Sequence, residues 1–282
     1  MVAAVRRRVW CETLSFAELS PALLEMLAAR HIELLLAVRP WQLAEVADTV
    51  VRARAAGVYT AVWPMVGDDE GRWASVYSLP AFVAFADEVL ARAPDADEIV
   101  IDLEPPHAVL ARWKELRPAR QRRFGRSFAD ARDLLAASVA RWRAGRRVST
   151  ALLPLLVLER GQWMQRALGT PATTLPIDSH NVMAYSSLYE GWSRGLVNRR
   201  RAEQLLALTA RLTRLRFGAR SAVSLGCVGP GAFGDEPGYR GVDELYRDVA
   251  IARAAGIAEV ALFDLGGVVR RGDVSAWLDA LA

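Results

Sequence analysis

The sequence predicts an α/β protein, a single (β/α)8 (TIM) barrel domain spanning residues 1–282. Short apolar, strand-like runs alternate with amphipathic helical stretches along the whole chain, and no block consists of strands alone. Eight such units in a chain of this length indicate a closed parallel barrel. A doubly wound open sheet is the competing fold, and the lack of a glycine-rich phosphate loop after the first strand disfavours it.

Each predicted strand is a short run of mainly apolar residues. The eight runs are Arg8–Glu12, Ile32–Val38, Tyr59–Pro64, Glu98–Glu104, Val148–Leu155, Asn181–Tyr185, Ser221–Gly226 and Glu259–Leu265. Between them, apolar residues three and four positions apart predict helices that include Ala44–Ala56, Ala202–Phe217 and Asp273–Leu281. Glycines follow helical stretches at Gly57, Gly145 and Gly256, where a left-handed cap is favourable.

The composition is that of a globular protein with a mixed surface. Hydrophobic residues make up 52% of the chain, which is enough to form a sizeable core. The net charge of +4 is the difference between 36 basic and 32 acidic residues, so the charge balance does not favour a nucleic-acid partner. Arginine-rich runs at residues 117–126 and 194–201 are interpreted as solvated surface.

The sequence indicates no membrane segment. No run of about 18 apolar residues occurs, and the basic N-terminus leads into a short strand rather than an apolar leader. We therefore expect a cytoplasmic protein, or a secreted one if a leader has been removed.

Neither cysteine nor histidine spacing indicates a metal site. Cys11 and Cys227 lie far apart without a CxxC pair, which excludes a cysteine-based zinc site and a disulfide framework. The three histidines, His31, His107 and His180, do not form a zinc-binding pattern by themselves. No cofactor is implied.

Residues 97–106, DEIVIDLEPP, carry the strongest functional signal in the chain. On a strand, alternate side chains share a face, so Val100, Asp102 and Glu104 lie together toward its carboxyl end. Barrel enzymes of this class place their chemistry at that end. The alternative is a strand that ends in solvent, with acids that cap the next helix or bind an arginine.

Two carboxylates at this spacing suit general acid and base catalysis. Same-face neighbours on a strand are about 6–7 Å apart, so their repulsion favours keeping one proton near neutrality. Glu104 reaches furthest into the mouth and is the candidate acid. Ordinary retaining glycosidases use a second carboxylate about 5 Å away, for which Glu12 and Asp264 are candidates.

Further candidates follow the other strand ends. Tryptophans beside carboxylates suit sugar rings, whose C–H faces stack on aromatic rings while their hydroxyls bind acids. The substrate-binding candidates are Trp10, Glu12, Arg39, Trp63, Trp73, Asn181 and Asp264, and Tyr185 is a candidate hydrogen-bond donor at the reacting centre. Tryptophans in helical stretches are assigned to packing, namely Trp113, Trp142, Trp163 and Trp277.

The glycine-rich run Gly229–Gly234 has neither a P-loop lysine nor dinucleotide-binding spacing. It is interpreted as a mobile lid over the rim rather than a phosphate-binding loop.

The fourth predicted strand resembles the DxxDxDxE signature of family 18 glycoside hydrolases, the chitinase type. Asp97, Asp102 and Glu104 stand at three of its four acidic positions, and Val100 replaces the second aspartate. The resemblance implies that Glu104 is the general acid. It also implies that Asp102 orients the N-acetyl group of the substrate, which itself attacks the anomeric carbon.

The sixth predicted strand is similar to the MxYD motif of the same family. Met183 and Tyr185 match that motif, and Ser186 replaces its aspartate. The resemblance implies that Tyr185 assists the N-acetyl group.

The predicted function is cleavage or transfer of a glycosidic bond in a small-molecule or oligosaccharide substrate. One alternative is a catalytically inactive carbohydrate-binding barrel, since Val100 and Ser186 are changes that a loss of catalysis leaves behind. The other is a metal-dependent hydrolase, for example of phosphoesters, that holds magnesium or calcium with Glu12, Asp102 and Glu104 together with Asp264. The sugar, the linkage and the oligomeric state are not indicated.

Overall fold

The computed structural model describes residues 5–115 and 127–282, in which eight strands form a closed parallel barrel in chain order. The strands are β1 (Arg6–Cys11), β2 (Ile32–Val38), β3 (Thr60–Pro64), β4 (Glu98–Leu103), β5 (Arg147–Leu152), β6 (Ser179–Met183), β7 (Ser221–Gly226) and β8 (Glu259–Phe263). Strand β1 pairs in parallel with both β2 and β8, which closes the sheet. The predicted (β/α)8 barrel is confirmed.

Eleven α-helices occur in the described parts of the chain. They are α1 (Pro21–Ala29), α2 (Val46–Ala55), α3 (Leu79–Arg92), α4 (His107–Lys114), α5 (Phe128–Arg143), α6 (Trp163–Leu168), α7 (Ser186–Gly191), α8 (Arg199–Phe217), α9 (Val242–Ala254), α10 (Leu265–Arg271) and α11 (Val274–Leu281). Strands β4, β6 and β8 are each followed by two helices rather than one. The additional short helices lie in the segments where barrels carry their functional residues.

Element boundaries differ from the predictions in ways that single residues explain. Strand β5 ends earlier than predicted because Pro154, which lacks an N–H group, begins a 3₁₀ turn. Strand β4 ends at Leu103, so Glu104 is the first residue beyond it. Gly57 and Gly256 have left-handed φ angles of 82° and 75°, as predicted for residues that follow helices. The same prediction is wrong for Gly145, whose φ angle is not in the left-handed region.

The chain divides into two compact units. The first contains the segment that ends at Leu36, together with Val51–Thr60 and His180–Ala282, and the second contains Ala37–Val50 and Ala61–Ser179. The candidates Trp10, Glu12, Asn181, Tyr185 and Asp264 belong to the first unit, and Arg39, Trp63, Trp73, Asp102 and Glu104 belong to the second. The assignment of residues 1–282 to one domain remains a prediction.

The first unit contains a buried ion-pair cluster on β1, β2 and β8. The guanidinium of Arg8, whose side chain is 1% exposed, lies 3.1 Å from Glu33 and 3.2 Å from Glu259. Arg6 adds a 2.7 Å hydrogen bond to Glu33. A charge is tolerated in a protein interior when it is paired in this way. These groups lie early in their strands, at the end of a barrel that serves stability rather than catalysis.

In the second unit, β4 is buried along its length. Glu98, at its first position, accepts a hydrogen bond from the Ser149 hydroxyl and lies 3.5 Å from the guanidinium of Arg147. Ile99, Ile101 and Leu103 are fully buried, as expected for a parallel strand covered on both faces. The alternate residues Ile99, Ile101 and Leu103 thus contribute to the hydrophobic core, while Glu98 and Asp102 occupy other positions of the strand.

Within the described residues, no helix is both long enough and apolar enough to cross a membrane. The arginine-rich run at 117–126 lies outside the described residues. In the run at 194–201, the interpretation as solvated surface is wrong for Arg199, which forms an ion pair with the buried Asp248.

Candidate active site

The two carboxylates of the acidic signature lie at the carboxyl end of β4 and are both buried. Asp102 is 2% exposed and Glu104 is 7% exposed. The backbone carbonyl of Asp102 accepts a 2.8 Å hydrogen bond from the amide of Ala74. This bond holds the loop after β3 against the strand that carries the acids.

The loop after β3 brings an aromatic pair next to this strand end. The ring of Trp73 lies 5.7 Å from the ring of His107, the first residue of α4, and 5.4 Å from the guanidinium of Arg72. Burial, reinforced by Arg72 and Arg39, lowers the pKa of His107. The imidazole is therefore neutral at neutral pH. The sequence pattern gives no indication of this aromatic contact, since it relates His107 only to a possible metal site.

Asp68 joins two of the predicted binding residues. It accepts hydrogen bonds of 2.7 and 2.8 Å from Arg72 and one of 2.9 Å from Arg39. These hydrogen bonds, the one from Arg72 first, hold the pKa of Asp68 well below its usual range. Arg39 and Trp73 are thus linked through Asp68 and Arg72, neither of which the sequence singled out.

The tryptophans differ sharply in exposure. Trp63 and Trp73, the predicted sugar platform, are 4% and 3% exposed and present little ring surface. Trp142 and Trp277 are buried at 5% and 4%, as predicted, whereas Trp113 and Trp163 are 37% and 62% exposed. The assignment of Trp163 to packing is wrong, because α6 turns its ring outward.

Two predicted binding residues of the first unit are connected by a buried hydrogen-bond chain. The indole N–H of Trp10 donates to the Ser224 hydroxyl at 2.7 Å, and this hydroxyl donates to Oδ1 of Asn181 at 2.8 Å. An indole nitrogen only donates, so the direction of the chain is determined. The amide nitrogen of Asn181 has no hydrogen-bond partner among the described residues. The hydrogen bond from Ser224 to the Asn181 oxygen fixes the orientation of this amide N–H₂ group.

We expect Ser224→Ala to lower the free energy of unfolding by about 1–3 kcal/mol, because it removes the hydroxyl that accepts from the buried Trp10 N–H and donates to the Asn181 oxygen. Ser138→Ala is the matched control, since the buried Ser138 hydroxyl donates to the Leu134 carbonyl of its own helix and bridges no distant segments among the described residues. Urea unfolding of both variants measures the difference. An equal loss of unfolding free energy in the two variants would contradict a stabilising role for the hydrogen-bond chain through Ser224.

Asp264 is occupied by backbone and side-chain donors. Its carboxylate accepts hydrogen bonds from the amide and hydroxyl of Thr13 at 3.1 and 2.8 Å, and from the amide of Gly267 at 2.9 Å. Asp264 therefore caps α10 and fastens the segment after β1. Glu12, directly before Thr13, is half-buried, and the half-buried ring of Tyr185 lies 5.5 Å from that of Phe263.

Ser186, which replaces the aspartate of the MxYD motif, is directed toward α9. Its hydroxyl donates to the fully buried Asp248, which also accepts from the Tyr239 hydroxyl at 2.7 Å and pairs with Arg199. Burial raises the pKa of Asp248, and the Ser186, Arg199 and Tyr239 contacts oppose that shift. The residue at this motif position is therefore part of a structural network.

His180 is a core residue. Its ring stacks on that of Phe217 at 4.3 Å, and burial, followed by the charges of Arg220 and Arg216, lowers its pKa from 6.5 to about 3. The folded protein therefore keeps this imidazole neutral, while the unfolded chain binds a proton below pH 6.5.

It follows that the free energy of unfolding decreases as pH falls from 6.5 toward 3, with His180 contributing up to about 1.4 kcal/mol per pH unit. Denaturant titrations at several pH values should show a shallower decline in His180→Gln than in the unmodified protein. His31→Gln, at an exposed position, serves as the control. An unchanged slope in His180→Gln would contradict the assignment.

Among residues 5–115 and 127–282, no group of three or more His, Cys, Asp and Glu side chains is arranged to hold a metal ion. Cys11 and Cys227 are buried thiols, and burial raises the pKa of each. Both therefore stay protonated as thiols, whereas a cysteine nucleophile acts as the thiolate.

By its fold, the protein is a (β/α)8 barrel with a carboxylate pair at the carboxyl end of its fourth strand. Comparison with protein-family models and with curated sequences finds no match. Solved structures with the same fold are found, at low sequence identity.

The barrel is similar to the glycoside hydrolase domain of PgaB (BpsB) from Bordetella bronchiseptica, with a TM-score of 0.61 and 12% identity over 99% of both chains. It is also similar to a GH18 chitinase from Cycas revoluta solved in complex with (GlcNAc)3, with a TM-score of 0.55 and 12% identity over 99% of this chain and 98% of that one. A D-psicose 3-epimerase matches with a TM-score of 0.51 and 9% identity over 92% and 84%. The neighbours thus include glycoside hydrolases and enzymes of other classes.

Proposed function

We propose that this protein is a glycoside hydrolase-like barrel that cleaves or transfers a glycosidic bond of an oligosaccharide. The observation that carries the proposal is the position of Asp102 and Glu104, both buried, at the carboxyl end of β4. Fold similarity to glycoside hydrolases over nearly the whole chain supports it. A buried carboxylic acid in such a position suits proton donation to a leaving oxygen.

In the proposed reaction, Glu104 gives its proton to the glycosidic oxygen as the bond to the anomeric carbon breaks. The resemblance to family 18 assigns Asp102 to orienting the N-acetyl group, whose oxygen attacks that carbon, and Tyr185 to assisting it. Glu104 then accepts a proton from water, or from a second sugar hydroxyl, which replaces the N-acetyl oxygen. Hydrolysis and transfer differ only in this acceptor.

The proposal is tested by incubating the full chain with N-acetylglucosamine oligomers and following chain lengths by mass spectrometry. Shorter products indicate hydrolysis, and longer ones indicate transfer. Tight binding with an unchanged oligomer distribution would contradict catalysis and favour a binding protein. Failure both to bind and to cleave these oligomers would contradict N-acetylglucosamine as the substrate sugar.

A carbohydrate-binding barrel without turnover is the second candidate. It is favoured by one contact, the donation from Ser186 to Asp248, because the motif position that carries an aspartate in family 18 here serves the packing of α9. The incubation above distinguishes the two candidates, since a binder retains the oligomer intact.

A further inference from the structure

A second candidate site lies in the first unit, in the segments that follow β7 and β8. There a pocket of about 350 Å³, the β7–β8 pocket, is lined by residues that include Gly229, Glu236, Gly267, Arg270 and Arg271. None of these residues is a candidate for glycosidic chemistry.

One wall of the β7–β8 pocket consists of closely approaching backbone. A β-carbon on Gly267 would lie 2.4 Å from the amide nitrogen of Gly229, and one on Gly229 would lie 3.0 Å from the α-carbon of Gly267. Only glycine fits at these two positions. The two main-chain segments therefore pack directly on each other, and the Asp264 carboxylate lies 3.4 Å from the position of a β-carbon on Gly229.

Two guanidinium groups supply positive charge to the pocket. Arg270 donates to the carbonyl and the hydroxyl of Thr13, at 3.4 and 2.6 Å. Arg271 donates from Nε to the Val228 carbonyl at 3.0 Å and lies 5.4 Å from the ring of Trp277. All these partners are uncharged, so they position the guanidinium groups without neutralising them, and each group has five N–H donors to distribute.

Three carboxylates lie in or near the pocket, namely Glu236, Glu18 and Asp264. The Glu236 carboxylate lies against Gly231, in the space that a β-carbon there would occupy, and the Glu236 amide bonds the Pro230 carbonyl at 2.9 Å. The backbone and the side chain of Glu236 therefore both contact the turn formed by Pro230 and Gly231. Exposed Glu18 is held by Ser15, and Arg270 has only a minor influence on its pKa. Buried Asp264 lies behind the glycine wall, where its carboxylate is engaged by Thr13 and Gly267. The lining itself contains two cations and one carboxylate, so it carries one more positive than negative charge.

We propose that the β7–β8 pocket binds the phosphate group of a small phosphate monoester. Arginine matches the oxygens of phosphate with paired N–H donors, and two arginines line this pocket. The segments after the seventh and eighth strands are also where (β/α)8 barrels commonly bind phosphate. Of the glycine-rich run, Gly229 and Pro230 line the pocket, and the interpretation of Gly229–Gly234 as a mobile lid remains a prediction. The proposal does not depend on glycosidic chemistry at Glu104.

The test is isothermal titration of the full chain with glucose 6-phosphate, inorganic phosphate, glucuronate and glucose. We expect both phosphate ligands to bind with a dissociation constant on the order of 1 mM or below, and glucose not to bind. Arg270→Gln should weaken phosphate binding roughly tenfold or more, because one charge-assisted contact is lost. Arg211→Gln, which removes an exposed arginine of α8 outside the pocket, should leave binding unchanged.

Arg271→Lys provides a second variant, which keeps the charge and loses the paired donors, and it should also weaken binding. Thermal midpoints of all variants establish that each is folded. Phosphate binding that is absent, or equal in the unmodified protein and both pocket variants, would overturn the proposal. Binding of glucuronate without binding of either phosphate ligand would overturn it in favour of a carboxylate site.

Discussion

Replacement of Glu104 by glutamine is expected to lower kcat on N-acetylglucosamine oligomers by roughly 10²–10⁴-fold. Glutamine keeps the shape of the buried side chain but has no proton to give to the leaving oxygen. KM should change little, because binding of the substrate does not require this proton. The measurement is steady-state kinetics with product detection by mass spectrometry.

Glu88→Gln is the matched control, since Glu88 is an exposed residue of α3 whose nearest cation, on Arg92, is 3.8 Å away. It should leave kcat unchanged. Full activity of the Glu104 variant would refute the assignment of the general acid. A proportional loss of kcat in both variants would point to reduced folding rather than to chemistry.

Replacement of Asp248 by asparagine is expected to lower the free energy of unfolding by about 3–5 kcal/mol. Asp248 is fully buried and accepts from Ser186, Tyr239 and the guanidinium of Arg199. Asparagine removes the buried counter-charge of that guanidinium, whose side chain is only 13% exposed, and leaves it the partly exposed Glu203 at 3.0 Å. Ser186 of α7, Arg199 of α8 and Tyr239 then lose their common charged partner on α9.

Urea unfolding of Asp248→Asn should be compared with that of Asp243→Asn. Asp243 lies on the same helix, is 71% exposed, and pairs with Arg247 at 3.1 Å. An exposed pair of this kind contributes less than about 1 kcal/mol. If the two variants unfold at the same urea concentration, the hydrogen bonds and the ion pair of Asp248 do not stabilise the fold more than an exposed pair does.

The barrel was predictable because its signal is local and repeated. Each strand is a short apolar run, each helix has its own spacing of apolar residues, and the two acids Asp102 and Glu104 stand at the end of the apolar run that forms β4. The family 18 resemblance added proposed roles for these acids and for Tyr185. All of these features are properties of single continuous segments, the longest of them one helix.

Contacts between distant segments were not predictable in the same way. Arg199 looked like part of a solvated arginine run, yet its partner Asp248 lies 49 residues further along the chain. Asp264 looked like a free carboxylate at a strand end, yet Thr13, 251 positions away in sequence, occupies it. Local patterns contain no information about which distant side chain fills the space beside a given residue.

The sequence by itself thus determined the barrel, the order of its strands and the position of the acidic pair, because periodicity and strand alternation follow from backbone geometry alone. Only the tertiary structure decided the burial of Trp63 and Trp73, the exposure of Trp163, and the loop contacts of His107 and Asp68. It also decided that two arginines and two glycines enclose one pocket. The physical reason is that exposure, pairing and cavity shape depend on how separate segments pack, which no single segment specifies.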